Sequence, residues 1–349
     1  MDGPGHTRVM QITPVDPADD RTAGDILALI NTVLAVDAPE NRRPVERSFR
    51  AELRQERPGM EVAYFAADDG GAFAGYLGIA LLVGDNPHLA MAELMVHPDH
   101  RRRGIGTALL DHFAAYASER GRTDLVAGTL TTWGDGPRRP DTGANFLERN
   151  GFALALVNVH RRSRTDALDA ETERRLWDQA VAAAADYEVR TWTGPAPDDL
   201  IESYCRLDAM TRTEVPSGDI QMEPERVDVE RARAKEARYA AIHQVPVRAA
   251  AVHRATGEVA AYTDIHAYTD PEAVHAAQGI TIVDPDHRGH RLGMLLKLAN
   301  LRQLREHFPR VAEVWTENAD VNDHMVAIND LLGYEAVDAL SIYQRKLQA

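Results

Sequence analysis

Hydrophobic and polar positions alternate with the two-residue period of a half-buried strand over 8–13, and the largely apolar runs at 62–67, 72–83 and 89–96 also read as strands. Between and after these, apolar residues recur at helical spacing over 25–36, 45–57 and 105–120. A turn at Asp68-Asp69-Gly70-Gly71 joins two of the strands. The pattern continues with a strand at 125–130, a helix ending at 145–150 before Gly151, and a strand from Phe152 to His160. After a helical stretch at 170–185 the same order begins again. A strand at 187–192 is followed by helices at 197–211 and 224–243 and strands at 247–253, 258–266 and 277–283. Helix 292–307, strand 311–316, helix 322–332 and strand 335–345 complete it. Strands and helices interleaved in this way predict an α/β fold, a mixed sheet with helices on its faces.

The repetition extends to the residues. Val96-His97-Pro98-Asp99-His100-Arg101-Arg102-Arg103-Gly104-Ile105-Gly106 returns as Val283-Asp284-Pro285-Asp286-His287-Arg288-Gly289-His290-Arg291-Leu292-Gly293, 187 positions later. Gly151-Phe152 returns as Gly333-Tyr334 at an offset of 182. The five-residue difference falls most naturally in the breaker-rich loop 134–140 of the first copy. Two copies at this distance predict two similar domains, 1–165 and 187–349, joined by a connector helix within 166–186. A length of 349 residues suits two domains, each large enough to bury a core without staples.

Composition narrows the classes of partner. With 39 Lys+Arg against 54 Asp+Glu the chain carries a formal charge of −15, which gives no broad attraction to nucleic acid or anionic lipid. The single Cys205 excludes an internal disulfide and a thiolate-rich metal site, and no His/Cys/Asp cluster has ligand spacing, so no metal is expected. Neither an apolar core of signal-peptide length in Met1–Thr13 nor a membrane-length apolar run occurs, so a cytoplasmic protein without membrane association is expected.

Each copy contains a strand, a short basic glycine-containing loop and a helix. The first turn of a helix has N–H groups without intrahelical acceptors, and the helix dipole adds positive potential there. Such a terminus binds anions, glycine lets the backbone approach closely, and Arg101, Arg102 and Arg103 supply donors suited to phosphate. A diphosphate is the natural ligand. The spacing is Arg-x-x-Gly-x-Gly, late in the domain. It is neither a Walker loop, which would need a Lys, nor a dinucleotide fingerprint on the first strand.

Arg101-Arg102-Arg103-Gly104-Ile105-Gly106, with the strand before it and the later Gly-Phe corner, resembles the acetyl-coenzyme A loop of the GNAT acetyltransferase superfamily. The second copy resembles it through Arg288 to Gly293, Asn322 and the Gly333-Tyr334 corner. The likeness covers nearly the whole chain, as two tandem GNAT domains, a layout similar to that of mycothiol synthase and other actinobacterial tandem acyltransferases. It implies two mostly antiparallel mixed sheets and acetyl-coenzyme A as acyl donor, with a small-molecule amine as acceptor. It also implies a monomer that is an internal pseudo-dimer, or a homodimer. In the first copy the resemblance assigns the cofactor to Met95, Val96, Arg101, Arg103, Gly104, Ile105, Gly106 and Thr107. In the second it assigns Ile282, Val283, Arg288, Gly289, His290, Arg291, Leu292, Gly293, Met294, Asn318 and Asn322.

Catalysis needs a neutral amine, so a carboxylate near the thioester is sought. Glu93, three residues before Val96, stands where family members often place a glutamate base; the alternative is a strand-face carboxylate in solvent or an ion pair. The matching position of the second copy is Ile280, which leaves Gln278, Thr281 and Glu317 as polar candidates there. The tyrosine acid of the family is replaced by Leu147 and Asn329. Asn322 reads either as a pantetheine contact or as a helix cap. Arg291 stands in place of Gly104 and disfavours positive φ, with Gly289 available to supply flexibility. His100 and His287 read as turn-packing residues, and Cys205 and the four tryptophans as core. Two functions stay open: an acyl-coenzyme A-dependent N-acyltransferase, or a coenzyme A-binding or regulatory protein with one or both copies inactive. The acceptor-facing stretches 37–60 and 211–240 carry no readable code.

Overall fold

The computed structural model describes residues 10–69, 73–210, 218, 220 and 227–347. Positions 8–9 of the first expected strand, Gly70-Gly71 of the turn, and nearly all of 211–226 lie outside the described residues. The chain forms two compact units. Unit 1 comprises 1–131, 138–155 and 341–349, and unit 2 comprises 132–137 and 156–340.

In unit 1, β1 (Gln11–Pro14), β2 (Met60–Asp68), β3 (Phe73–Leu82) and β4 (Leu89–Val96) pair antiparallel in that order. β4 then pairs parallel with β5 (Asp124–Thr131), and residues 341–346 of the last strand, β12 (Glu335–Lys346), lie beyond β5. Helix α1 (Asp20–Asp37) starts five residues before the expected start at Asp25 because Asp19 caps it, its carboxylate accepting from the Thr22 amide. α1 and α2 (Glu46–Arg54) cover one face of the sheet through Ile26, Leu29, Ile30 and Leu53 against Tyr64 and Tyr76. α3 (Ile105–Glu119) covers the other through Leu109, Leu110 and Phe113 against Leu77 and Leu81. α4 (Thr142–Arg149) adds the buried Leu147, and Gly151, at φ 79°, ends it before the buried Phe152.

Unit 2 repeats this plan. Its sheet runs β7 (Tyr187–Thr193), β8 (Gln244–His253), β9 (Val259–Tyr268), β10 (His275–Val283), β11 (Glu313–Ala319) and β6 (Ala153–Arg164). Only β10 and β11 are parallel among these pairs. α6 (Ile201–Ala209) and α7 (Val229–Ala241) lie on one face. α5 (Ala170–Ala183) and α8 (Leu292–His307) lie on the other, and α9 (Asp323–Leu331) precedes β12.

The units differ from the expected division at 166–186. Residues 158–164 of β6 follow unit 1 in the chain yet pair with β11, and 341–347 return to unit 1. α5 packs on unit 2. Leu176 and Ala180 enter the core under α8, and Glu173 binds Arg302 and Arg305 of α8 at 2.8 and 2.6 Å. Among the described residues no helix is long and apolar enough to cross a membrane.

Candidate active site

β4 and β5 are hydrogen-bonded neighbours only from Leu89↔Asp124 to Ala92↔Ala127. Beyond that rung the paired register ends, although both strands continue, so the edge of β4 from Glu93 to Val96 faces a wedge. Its polar backbone groups on that side have no strand partner to satisfy them.

The wedge leads into the basic loop. After a 3-10 turn at Pro98–His100, Arg102 (φ 65°) and Gly104 (φ 86°) take left-handed conformations and α3 begins at Ile105. Gly104 is the cap residue and offers no side-chain acceptor, so the amides of Ile105, Gly106 and Thr107 open α3 without a capping oxygen. Ile105 is buried, Gly106 half-buried and Thr107 exposed. A Cβ on Gly106 would stand 3.6 Å from the Phe146 ring and 3.8 Å from Val96.

The arginines divide their work in a way the motif does not disclose. Arg101 forms a two-pronged ion pair with Asp37 at the end of α1, at 2.9 and 2.6 Å, and its Nε reaches the Val96 carbonyl at 3.3 Å. Its guanidinium thereby clamps the loop to α1. Arg103 bonds Asp69 and the Asp99 carbonyl, both at 3.0 Å, and His100 meets the same Asp69 at 3.1 Å. These bonds to His100 and Arg103 hold the Asp69 carboxyl below its ordinary range. Arg102 is exposed.

Glu93 lies opposite Gly78 on β3. The residue keeps accessible surface, yet the protein around its carboxyl displaces enough water to raise its pKa above the ordinary value, with Arg57 opposing the rise. Gly78 is needed there because a Cβ would stand 2.7 Å from the Tyr76 hydroxyl. Sequence reading missed Tyr76, whose phenol is raised by burial and by the Glu93 charge and stays protonated. Met95 packs toward α1 and Val96 toward α3, which leaves their backbone to the wedge.

Unit 2 holds a second wedge: β10 and β11 pair from His275↔Glu313 to Ala277↔Trp315 and then part. Its loop has the same two left-handed positions with the residues exchanged, Gly289 at φ 87° and Arg291 at φ 54°. The expected resistance of Arg291 is overcome: it caps α8 in the left-handed conformation, a strain on the order of 1 kcal/mol, and its guanidinium reaches Gln179 at 3.2 Å. His287 meets the Tyr187 hydroxyl at 2.8 Å and His290 meets the Ala183 carbonyl at 3.3 Å, tying this loop into its unit; Arg288 is exposed. Leu292, Gly293 and Met294 form the buried first turn of α8, while Ile282 is buried and Val283 half-buried at the end of β10.

The polar candidates of unit 2 are engaged. Asn322 caps α9, its Oδ1 accepting from the Met325 amide at 3.2 Å. Asn318 accepts from Asn329 at 2.6 Å, and Asn329 in turn accepts from Lys297 at 3.1 Å. Burial lowers the Lys297 amine to about 7. Gln278 donates to Thr263 Oγ1 at 3.0 Å, and Thr281 shares a 2.7 Å hydroxyl contact with Thr263.

Glu317 faces His160 at 3.5 Å, and the fully buried Asp338 meets the same imidazole at 2.7 Å. Burial alone would depress His160, but these two carboxylates outweigh it and raise its pKa from 6.5 to about 9. Because the folded value exceeds the unfolded one, this stabilisation is complete below pH 6.5 and is lost as pH rises through about 9. Its size is on the order of 3 kcal/mol. Unfolding curves from about pH 6 to about pH 10 should therefore converge for the wild type and His160→Gln as pH rises. Parallel curves would contradict the assignment.

Cys205 is buried in the α6 core and its thiol is pushed up to about 11 by burial, as a packing residue requires. No group of His, Cys, Asp and Glu among the described residues is arranged to hold a metal ion.

Residues 30–132 match the model of the acetyltransferase (GNAT) family. A mycothiol acetyltransferase from Parafrankia sp. is 34% identical over 40% of this chain and 38% of its own. The match to another, from Geodermatophilus obscurus, covers 49% of that protein, so the chain spans less than half the length of each of these two relatives. A third mycothiol acetyltransferase, from Sanguibacter keddieii, is 27% identical over 88% of both chains. Among solved structures, a tandem GNAT protein from the clavulanic acid biosynthesis pathway superposes with a TM-score of 0.81 at 29% identity, covering 98% of this chain and 99% of that one. Two wedges, two glycine-and-arginine loops opening helices, and this full-length likeness give the chain the fold of a tandem GNAT protein, with residues 30–132 matching the GNAT family.

Proposed function

We propose that the chain is an acyl-coenzyme A-dependent N-acyltransferase, transferring acetyl from acetyl-coenzyme A to a primary amine of a small molecule. The observation that carries this reading is the placement of Glu93 at the rung where β4 leaves β5, at the head of the strand edge that runs into the uncapped start of α3. The amides of Ile105, Gly106 and Thr107 hold the diphosphate with the helix dipole behind them, and exposed Arg102 adds charge. The open edge of β4 at Met95 and Val96 pairs with the amides of the pantetheine arm and draws the thioester toward Glu93. Arg101 and Arg103 act in this scheme by fixing the loop.

The reaction is direct. The amine nitrogen attacks the thioester carbonyl carbon, a C–N bond forms and the C–S bond breaks. Glu93, when ionised, takes the proton released from nitrogen. The leaving thiol has a pKa near 8.5, so a dedicated acid is dispensable where Leu147 stands. Relatives named mycothiol acetyltransferases support the acetyl-transfer part of this reading.

Calorimetry with coenzyme A tests the cofactor assignment. Two sites are expected, the tighter in unit 1, where the glycine cap avoids the strain of Arg291. A single site abolished by changes at 288–293 alone would reverse the ranking. Thiol release on addition of an amine tests turnover.

A further inference from the structure

The two units can be aligned rung by rung. In unit 1, Val96 at the loop pairs with Gly75, and three rungs back Glu93 faces Gly78. In unit 2, Val283 pairs with Ala261, and three residues along β9 stands Asp264. The β10 register shifts between Gln278 and Thr281, so Gly279 and Ile280 together oppose Asp264. The carboxylate and the glycine have changed strands. Unit 1 has glycine on the inner strand and glutamate on the wedge strand; unit 2 has aspartate on the inner strand and glycine on the wedge strand.

Gly279 is fitted to that exchange. A Cβ there would stand 2.3 Å from Asp264 Oδ1 and 3.1 Å from His266 Nε2. The carboxylate thus occupies the space that a side chain of β10 would otherwise fill. His266, two residues along the same face of β9, meets Oδ2 at 3.2 Å. Oδ1 is buried without a hydrogen-bond partner, as is His266 Nδ1. A buried carboxylate oxygen left bare is unfavourable for the fold alone and suits a group that receives a ligand's N–H. Beside it, Arg248 of β8 pairs through Nη1 with Glu236 of α7 at 2.7 Å while its Nε is also buried without a partner, and Tyr262 donates to Asp208 of α6. Tyr204 of α6, and Lys235 and Tyr239 of α7, also face the cluster. Burial opposes ionisation of Asp264, but His266, Arg248 and Lys235 outweigh it and hold the carboxyl below its ordinary range.

We propose that Asp264 is the amine-proton acceptor of a second acyl-transfer site in unit 2, supplied from β9 in place of the glutamate that β10 lacks. This rests on the N-acyltransferase reading above. The amine of the acceptor forms a C–N bond to the thioester carbon as the C–S bond breaks. Its proton passes to Asp264 Oδ1, and the thiolate takes a proton from water. His266 is a positioning residue that holds Oδ2.

The test uses the full chain, acetyl-coenzyme A and a panel of primary amines, with thiol release as the readout. Glu93→Gln silences unit 1, and the amine-dependent rate that remains is assigned to unit 2. Adding Asp264→Asn should lower that remainder about 10²-fold or more, while coenzyme A stoichiometry by calorimetry stays at two. Gly279→Ala on the Glu93→Gln background should do the same, because its methyl displaces the carboxylate without altering its chemistry. It stands in if Asp264→Asn fails to fold. Retention of the full residual rate in both double variants would overturn the proposal. So would a Glu93→Gln protein with no amine-dependent rate. A wild type that binds acetyl-coenzyme A but releases no thiol with any amine would overturn the N-acyltransferase reading itself, and that failure is visible before any variant is made.

Discussion

Glu93→Gln should lower the amine-dependent turnover of unit 1 by 10²–10⁴-fold, with coenzyme A affinity unchanged. The substitution keeps the shape of the side chain and the β3–β4 pairing across Gly78, and removes only the proton acceptor. Cofactor affinity persists because the loop amides and the β4 backbone, not the carboxylate, hold the cofactor. The pH profile carries a second signature. Glu93 accepts a proton only when ionised, and burial has raised its pKa, so the wild type loses activity as pH falls through that raised value. The glutamine protein lacks this limb, and the ionisation of the amine alone shapes its profile. Steady-state rates with the second site silenced by Gly279→Ala isolate the effect. An unchanged rate in that background would move the chemistry away from Glu93.

Gly106→Glu should weaken coenzyme A at unit 1 by about 3 kcal/mol, roughly 10²-fold, because it sets a carboxylate against the diphosphate at the positive end of α3. The lower end of the range for an uncompensated buried charge applies, since the position is half-buried. Gly106→Ala is the control. Its Cβ would meet only ordinary contacts, 3.6 Å to Phe146 and 3.8 Å to Val96, so affinity should change little and the fold should hold. Calorimetric titration of both variants separates charge from bulk. Equal losses would mean that backbone geometry alone is being read, and no loss in either would remove the diphosphate from this helix.

Local signals were legible in the sequence, and long-range ones were not. The strand Leu89–Val96 and the helix Leu292–His307 agree with the sequence reading residue for residue, because each is an apolar segment bounded by its own local signals. The helix capped by Asp19 begins earlier than its apolar face, because a cap acts through one hydrogen bond that hydrophobic spacing does not record. The strand from Phe152 was expected to stop at His160 but runs to Arg164. Its basic end is held by Glu313 and Asp330, which lie far along the chain. The same limit governs the site. Glu93 and the two loops could be read because strand, spacing and glycines sit together. Arg101 reads as a phosphate ligand until Asp37, 64 residues away, is found against it. Asp264 was invisible because its place depends on a cross-strand register and a bulge. The exchange of carboxylate and glycine between neighbouring strands leaves no local motif.

Acyl transfer to an amine at the first wedge can be followed directly. Its most direct measurement is time-dependent thiol release from acetyl-coenzyme A with a panel of primary amines, with the mass of the amine followed in the same reaction. Thiol release that depends on the amine and on Glu93 is expected, matched mole for mole by an amine heavier by one acetyl group. Tight binding of acetyl-coenzyme A with no thiol release above the amine-free rate would contradict it, and would leave a coenzyme-binding protein in place of an enzyme.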